Sequence, residues 1–164
     1  IKAKTLSYQQ KIASLDKLPI YSEIPIFLSK IKHQGLLIGL VSGALRSEIE
    51  LILSKSNLLE YFDVIVAGDE IQNSKPEPEG YLLAIERMNL KYSSITLKKS
   101  NCLAIEDTPA GIQAAKSAGI QVVGVANTYP MHMLQRQANW TVDYLADLEF
   151  DRVDLILGDR AIEG

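Results

Sequence analysis

Two adjacent carboxylates, Glu106 and Asp107, directly follow the apolar run of residues 103–105, and Thr108-Pro109 comes next as a helix start. Open α/β sheets bind their ligands beyond the carboxyl ends of the strands, which is where this pair is expected. Neighbouring carboxylates at such a place need a cation or hydrogen bonds to neutralise them. The pair therefore predicts either a site for a hard cation such as Mg²⁺, which prefers oxygen ligands, or two acids that cap the following helix.

A serine and a lysine stand at matching places earlier in the chain. Ser42-Gly43 ends the apolar run of residues 36–41, and Lys75 lies in a proline-containing loop, residues 73–78. A serine hydroxyl and the backbone N–H groups of a strand–helix turn donate to phosphate oxygens, and a lysine ammonium neutralises phosphate charge. Each of these residues alone is common in turns or on surfaces. Their order along the chain, together with the acidic pair, favours phosphoryl chemistry in which Mg²⁺ stabilises the transferring group.

The segments that would hold these residues alternate between strand and helix, which is typical of an α/β domain with a parallel sheet. A fully buried strand is predicted at residues 36–41, and further strands are predicted at 64–67, 102–105 and 122–125, with a short extended segment at 140–142. Asp69, which follows the second of these strands, is predicted to be a loop acid without a chemical role. Apolar residues at helical spacing predict helices at residues 5–15, 22–32 (with Ser22 as its cap), 110–118, 131–137 and 152–157, and around Ile49 and Ile85.

Composition narrows the class of protein. The chain has 164 residues, 47% of them hydrophobic and 23% charged, with a net charge of −3, as expected for one globular domain. Lysines and arginines are scattered, which argues against a nucleic-acid surface. No apolar run approaches the roughly 20 residues of a membrane-spanning helix. The single cysteine, Cys102, cannot form an internal disulfide, so a cytoplasmic protein is predicted.

Three segments together resemble motifs of a known family. Residues 41–44, residues 74–78 and residues 105–115 resemble motifs II, III and IV of the haloacid dehalogenase superfamily, and most closely those of its β-phosphoglucomutase-like and CbbY-like phosphatase branch. The resemblance implies a Rossmann-like α/β core with a parallel sheet and a helical cap. It also implies Mg²⁺-dependent phosphoryl transfer, from a small phosphorylated metabolite such as a sugar phosphate, through an aspartyl-phosphate.

The resemblance carries over to individual residues. Ser42 would bind the transferring phosphoryl group, and Lys75 would neutralise that group beside the nucleophile. Glu106 and Asp107 would coordinate or orient Mg²⁺. Arg46 would either clamp a phosphate group bidentately or stand as a solvated arginine at the start of a helix.

The first motif of the family is missing. That motif is an Asp-x-Asp sequence on the first strand, yet Asp16 is the only aspartate before Ser42, and no buried strand precedes it. We therefore expect a core that lacks its first central strand. Residues 1–18 are interpreted as a remnant of the helical cap with its hinge, and residues 19–164 as the core domain. On this interpretation the chain is the carboxyl-terminal part of a longer enzyme and is inactive by itself.

Several functions remain open at this stage. A phosphatase is favoured over a β-phosphoglucomutase-type isomerase, because Ala44 and Leu45 stand where such isomerases carry polar residues for a second phosphate. A non-catalytic, degenerate module on the same scaffold is a further alternative. A nucleotide-binding domain is not supported, because no Gly-x-Gly-x-x-Gly or Gly-x-x-x-x-Gly-Lys run occurs. The sequence assigns no oligomeric state.

Overall fold

The computed structural model describes residues 23–157, and the chain divides into two compact units, residues 1–70 and residues 71–164. Helices alternate with parallel strands in both units, so the predicted α/β class is confirmed. In the first unit the elements are α1 (Glu23–His33), β1 (Gly39–Val41), α2 (Arg46–Lys55) and β2 (Val64–Val66). Short 3₁₀ turns follow at Leu59–Tyr61 and Gly68–Glu70.

The two strands of the first unit are held in register at their start by Asp63. Its Oδ2 accepts a hydrogen bond from the backbone N–H of Ile38 at 2.7 Å and from the ammonium of Lys32 at 2.5 Å. Beyond this clamp β1 and β2 run parallel, with Leu40 opposite Ile65. The apolar faces of α1 and α2 cover this pair of strands, and the buried core consists of Leu28, Ile38, Ile49, Leu53, Leu58, Ile65 and Ala67.

The second unit contains a three-stranded parallel sheet in the order β3-β4-β5. Its central strand β4 is almost wholly buried, and Ile112, Ala114 and Ala115 face the core from the helix before it. Small side chains on that helix let it lie close to the sheet. The elements are α3 (Glu79–Lys91), β3 (Leu103–Glu106), α4 (Pro109–Ser117), β4 (Gln121–Val125), α5 (Met131–Leu134), β5 (Trp140–Val142) and α6 (Phe150–Leu157).

Two predicted elements differ from those observed. The strand expected at residues 36–41 is restricted to β1 and is partly exposed rather than fully buried. The reason is pairing, because β1 bonds to β2 and the register begins opposite Val64. The helix expected at residues 131–137 ends at Leu134, whose carbonyl accepts from the N–H groups of Gln137 and Ala138 in a turn.

The other predicted elements agree with the structure to within a few residues. Glu106 is the last residue of β3 rather than the first residue after it, which matters for the site below. Within residues 23–157, β1 pairs only with β2 and β3 only with β4, so each keeps one edge without a strand partner. The helix expected at residues 5–15, the cap at Ser22 and the division at residue 18 lie outside the described residues and stay predictions. None of the helices described between residues 23 and 157 has the length and apolar character needed to span a membrane.

Candidate active site

A buried carboxylate with two donors lies at the end of β3. Glu106 shares a face of the strand with Ala104, and its side chain is only 6% exposed. Its Oε1 accepts hydrogen bonds from the ammonium of Lys75 and from the hydroxyl of Tyr81. The Lys75 ammonium also lies over the Tyr81 ring, 5.5 Å from its centroid. A buried charge is stable only when it is paired and hydrogen-bonded, and Lys75 and Tyr81 meet both needs.

The other side of Glu106 rests on helix α4. Its Oε2 lies against Gly111, where an added Cβ would overlap the carboxylate. The helix begins with Thr108, whose Oγ1 accepts from the N–H of Gly111 at 3.0 Å, and with Pro109 in the first turn. Thr108 is therefore the side chain that caps α4, and Glu106 and Asp107 accept hydrogen bonds from other partners.

Asp107 faces a different partner from Glu106. Its Oδ2 accepts a hydrogen bond from Oγ1 of Thr128 at 2.5 Å, and Thr128 belongs to the loop after β4. One carboxylate oxygen is thus held by the protein, which leaves Oδ1 for a cation. Carboxylate oxygens suit Mg²⁺, so the donor set fits this ion. Within residues 23–157 no cluster of three His, Cys, Asp or Glu side chains is present, so these acids supply only part of a coordination shell.

The loop that carries Lys75 is closed by Glu79. Oε1 of Glu79 accepts from the N–H of Gln72 at 2.9 Å, and Oε2 accepts from the N–H of Asn73 at 2.8 Å and from its Nδ2 at 3.0 Å. Within this loop the N–H of Glu77 donates to the carbonyl of Ser74, and the peptide bond before Pro76 is cis. The carboxylate at the start of α3 therefore ties down the segment that presents the lysine.

The hydrogen bonds of Glu79 should make the order of this loop depend on pH. The backbone N–H groups of Gln72 and Asn73 hold the pKa of Glu79 below its usual value, although burial opposes them. A depressed pKa in the folded state means that the stabilisation is present above the unfolded pKa and is lost as pH falls through the folded one. We expect the amide resonances of Gln72 and Asn73 to shift on acidification with a midpoint below 4.5, the usual pKa of a glutamate. A ¹H–¹⁵N titration measures the midpoint, and a value at or above that figure would contradict the assignment.

Ser42 lies in the first unit, immediately after β1. Its N–H donates to the carbonyl of Val66 at 3.0 Å, which continues the pairing of the strands, and its Oγ accepts from the N–H of Ala44 at 3.1 Å. Because the hydroxyl oxygen is the acceptor in that turn, its proton can be donated to an anion. Gly43 has open space on the side where a Cβ would lie, so the turn can be approached closely.

Arg46 is the first residue of α2, as expected, and its partly exposed side chain is paired with neighbouring groups. Its guanidinium donates to both carboxylate oxygens of Glu70, at 2.8 and 2.7 Å, and to the carbonyl of Ile65 at 2.7 Å. All three bonds come from Nη2, and a phosphate-clamping role for Arg46 stays a prediction. Asp69, expected to be a plain loop acid, accepts from the N–H of Arg46 at 2.9 Å and so caps α2.

The structure thus brings Lys75 and Glu106 of the second unit into direct contact, and Asp107 directly follows Glu106 in the chain. Ser42, Gly43 and Arg46 lie in the first unit. Sequence analysis missed Tyr81, which lies on α3, the helix predicted around Ile85. Burial and the Glu106 carboxylate raise the pKa of Tyr81, which keeps its hydroxyl protonated as a donor. A tyrosine on a buried helix face needs a partner for its hydroxyl, and this was the available signal.

The chain is similar to known proteins in sequence and in fold. The model of the haloacid dehalogenase-like hydrolase family matches residues 1–125. The phosphorylated carbohydrates phosphatase of Thermotoga maritima is 35% identical over 102 residues, which cover 62% of this chain and 44% of that protein. Protein CbbY of Rhodobacter capsulatus is 30% identical over 150 residues, which cover 88% of this chain and 62% of that protein. The chain spans about half the length of these curated relatives.

Two solved structures share the fold. CbbY from Rhodobacter sphaeroides in complex with xylulose-(1,5)bisphosphate superposes with a TM-score of 0.76 at 25% identity, over 90% of this chain and 63% of that chain. β-Phosphoglucomutase from Clostridium difficile gives a TM-score of 0.76 at 28% identity, over 93% of this chain and 62% of that chain. The chain belongs to the haloacid dehalogenase-like hydrolase family, in the branch that includes β-phosphoglucomutase and CbbY.

Proposed function

We propose that the complete protein is a Mg²⁺-dependent phosphoryl-transfer hydrolase that acts on a small phosphorylated metabolite, with a sugar phosphate as the favoured class. The observation that carries the proposal is the pairing of Lys75 with buried Glu106 at the end of β3, with Asp107 directly after it. The relatives support the substrate class, since one is named a phosphatase of phosphorylated carbohydrates and another was solved with a sugar bisphosphate.

Each residue has a distinct proposed role. The Lys75 ammonium neutralises the phosphoryl group as a point charge, and Glu106 keeps that ammonium in place. The Ser42 hydroxyl donates a hydrogen bond to a phosphoryl oxygen, with the backbone turn at Gly43 leaving room for the group. Each donor would stabilise negative charge on a phosphoryl group that it binds.

Asp107 and Glu106 have different proposed roles toward Mg²⁺. Asp107 would hold Mg²⁺ through Oδ1, because Thr128 already donates to its other carboxylate oxygen. Glu106 is committed to Lys75 and Tyr81, so it acts through the lysine rather than as the main ligand. Bound Mg²⁺ supplies electrostatic stabilisation of the phosphoryl oxygens.

The 164 residues contain no candidate for the nucleophile, because no Asp-x-Asp sequence precedes Ser42. We therefore propose that this chain alone does not hydrolyse phosphate esters, and that residues 1–18 are a remnant of the cap. The phosphatase is favoured over the isomerase because Ala44 and Leu45 stand where such isomerases carry polar residues for a second phosphate.

Hydrolysis of p-nitrophenyl phosphate tests the proposal. We expect no turnover by the 164-residue chain with or without Mg²⁺. If the coding sequence upstream of Ile1 encodes a strand that ends in Asp-x-Asp, the longer protein should hydrolyse the ester with Mg²⁺, and Asp107→Asn should lower its rate by about 100-fold or more. Turnover by the 164-residue chain that Asp107→Asn abolishes would show that the nucleophile lies within it. If a stop codon or an unrelated sequence lies upstream instead, the proposal fails and the chain is a non-catalytic module.

A further inference from the structure

Glu79 makes more hydrogen bonds than the start of a helix requires. Its two carboxylate oxygens receive three donors from Gln72 and Asn73, at 2.8–3.0 Å. These bonds close residues 72–79 into a ring of backbone and side chain. Lys75 lies inside that ring, so the path of its backbone is set by a residue four positions later.

The side chain of Lys75 is held separately from its backbone. Its ammonium contacts Glu106 and lies over the ring of Tyr81, which is two residues after Glu79 on α3. Glu79 at the beginning of α3 and Tyr81 in its first turn therefore fix the two ends of the same lysine. A side chain that must meet an anion at one point needs both ends in place, because small displacements weaken electrostatic contacts.

A simpler explanation for Glu79 is its charge at the start of α3, where acids interact favourably with the helix dipole. Such an interaction would not require each oxygen to accept from a different residue across the loop. Glu77 provides a natural comparison, since it is exposed in the same loop and its carboxylate takes no part in the three bonds of Glu79. The cross-loop bonds, rather than the charge, thus distinguish Glu79.

We propose that Glu79 is a positioning residue for Lys75: its bidentate bonds across the loop order the segment that presents the lysine to a phosphoryl group. The inference rests on the proposed function for the identity of the anion, and on the structure alone for the ordering of Lys75. The lowered pKa of Glu79 agrees with it, because a carboxylate that accepts such bonds is favoured in its charged form.

Nuclear magnetic resonance on the 164-residue chain tests the proposal with Glu79→Gln and the matched control Glu77→Gln. In the wild-type chain we expect slow amide exchange at Gln72 and Asn73 and two separate resonances for the ε-methylene protons of Lys75. Glu79→Gln should accelerate exchange at both amides by about tenfold and merge the two Lys75 resonances. Glu77→Gln should leave both signals unchanged. Titration with inorganic phosphate should show about tenfold weaker binding in Glu79→Gln only.

The outcomes separate the explanations. If Glu79→Gln accelerates amide exchange but leaves the Lys75 resonances separate, Glu79 only ties the loop and the proposal is wrong. Glu79→Asp keeps the charge but shortens the side chain, so it should resemble Glu79→Gln; if it resembles wild type instead, the helix dipole explains Glu79 and the proposal fails. If the Lys75 resonances respond as expected but the wild-type chain binds no phosphate, the positioning of Lys75 stands and the proposed function is the part that fails.

Discussion

Replacing Lys75 with methionine is expected to lower the free energy of unfolding of the second unit by about 2–3 kcal/mol. The substitution leaves the Glu106 carboxylate, 6% exposed, without the cation that compensates its charge. Removing one partner of a buried ion pair is usually more damaging than the pair is stabilising, because the remaining charge stays out of water. The expected loss is below the full range for buried pairs, since the Lys75 side chain is 28% exposed and Tyr81 still donates to Glu106.

Thermal or urea unfolding measures this loss, with Lys98→Met as the control because Lys98 is exposed in the same unit. Adding Glu106→Gln to Lys75→Met should recover part of the stability, since the uncompensated charge is gone while Oε1 still accepts from Tyr81. The two substitutions should therefore couple rather than add. Strictly additive effects would show that Lys75 and Glu106 do not stabilise each other.

Gly68→Ala is expected to destabilise the first unit by about 2 kcal/mol. A Cβ at Gly68 would overlap the carbonyl group of Gly43, and both the obstacle and the new atom belong to tight turns. The N–H of Gly68 also donates to the carbonyl of Ala44 at 2.8 Å, so the backbones cannot separate without breaking this bond. Relief therefore requires movement of the turn that follows Ser42.

Gly43→Ala is the matched control, because nothing lies within 4 Å of the Cβ that it would add. It should change the free energy of unfolding by no more than about 0.5 kcal/mol, as an ordinary surface substitution does. Unfolding curves of the two variants measured side by side test the close approach of the loops after β1 and β2. Equal effects of the two substitutions would mean that Gly68 does not touch the Gly43 carbonyl in solution.

Local patterns predicted the elements of this chain well, because each pattern reports a property of a short segment. The apolar run before Glu106 predicted β3, and the Thr108-Pro109 pair predicted the start of α4, since strand burial and helix capping depend on neighbouring residues. One of the two failed predictions had a distant partner as its cause. The strand at residues 36–41 shortened to β1 because pairing with β2 begins opposite Val64.

The candidate site was only partly accessible to the same reasoning. Lys75 and Glu106 were chosen by type and order, but their contact joins residues 31 positions apart. Thr128 donates to Asp107 from 21 positions away, and no local sequence pattern predicts that contact. Tyr81 carried a signal, a hydroxyl on a buried helix face, although its partner could not be named from the sequence.

The sequence by itself determined the class of fold, the order of strands and helices, the family and the residue types that suit phosphoryl chemistry, because all of these depend on short-range patterning and motif spacing. The tertiary structure alone decided which donor meets which acceptor. It assigned Lys75 and Tyr81 to Glu106 and Thr128 to Asp107. These pairings depend on where the chain returns after a loop or a helix, and only folding brings those atoms together.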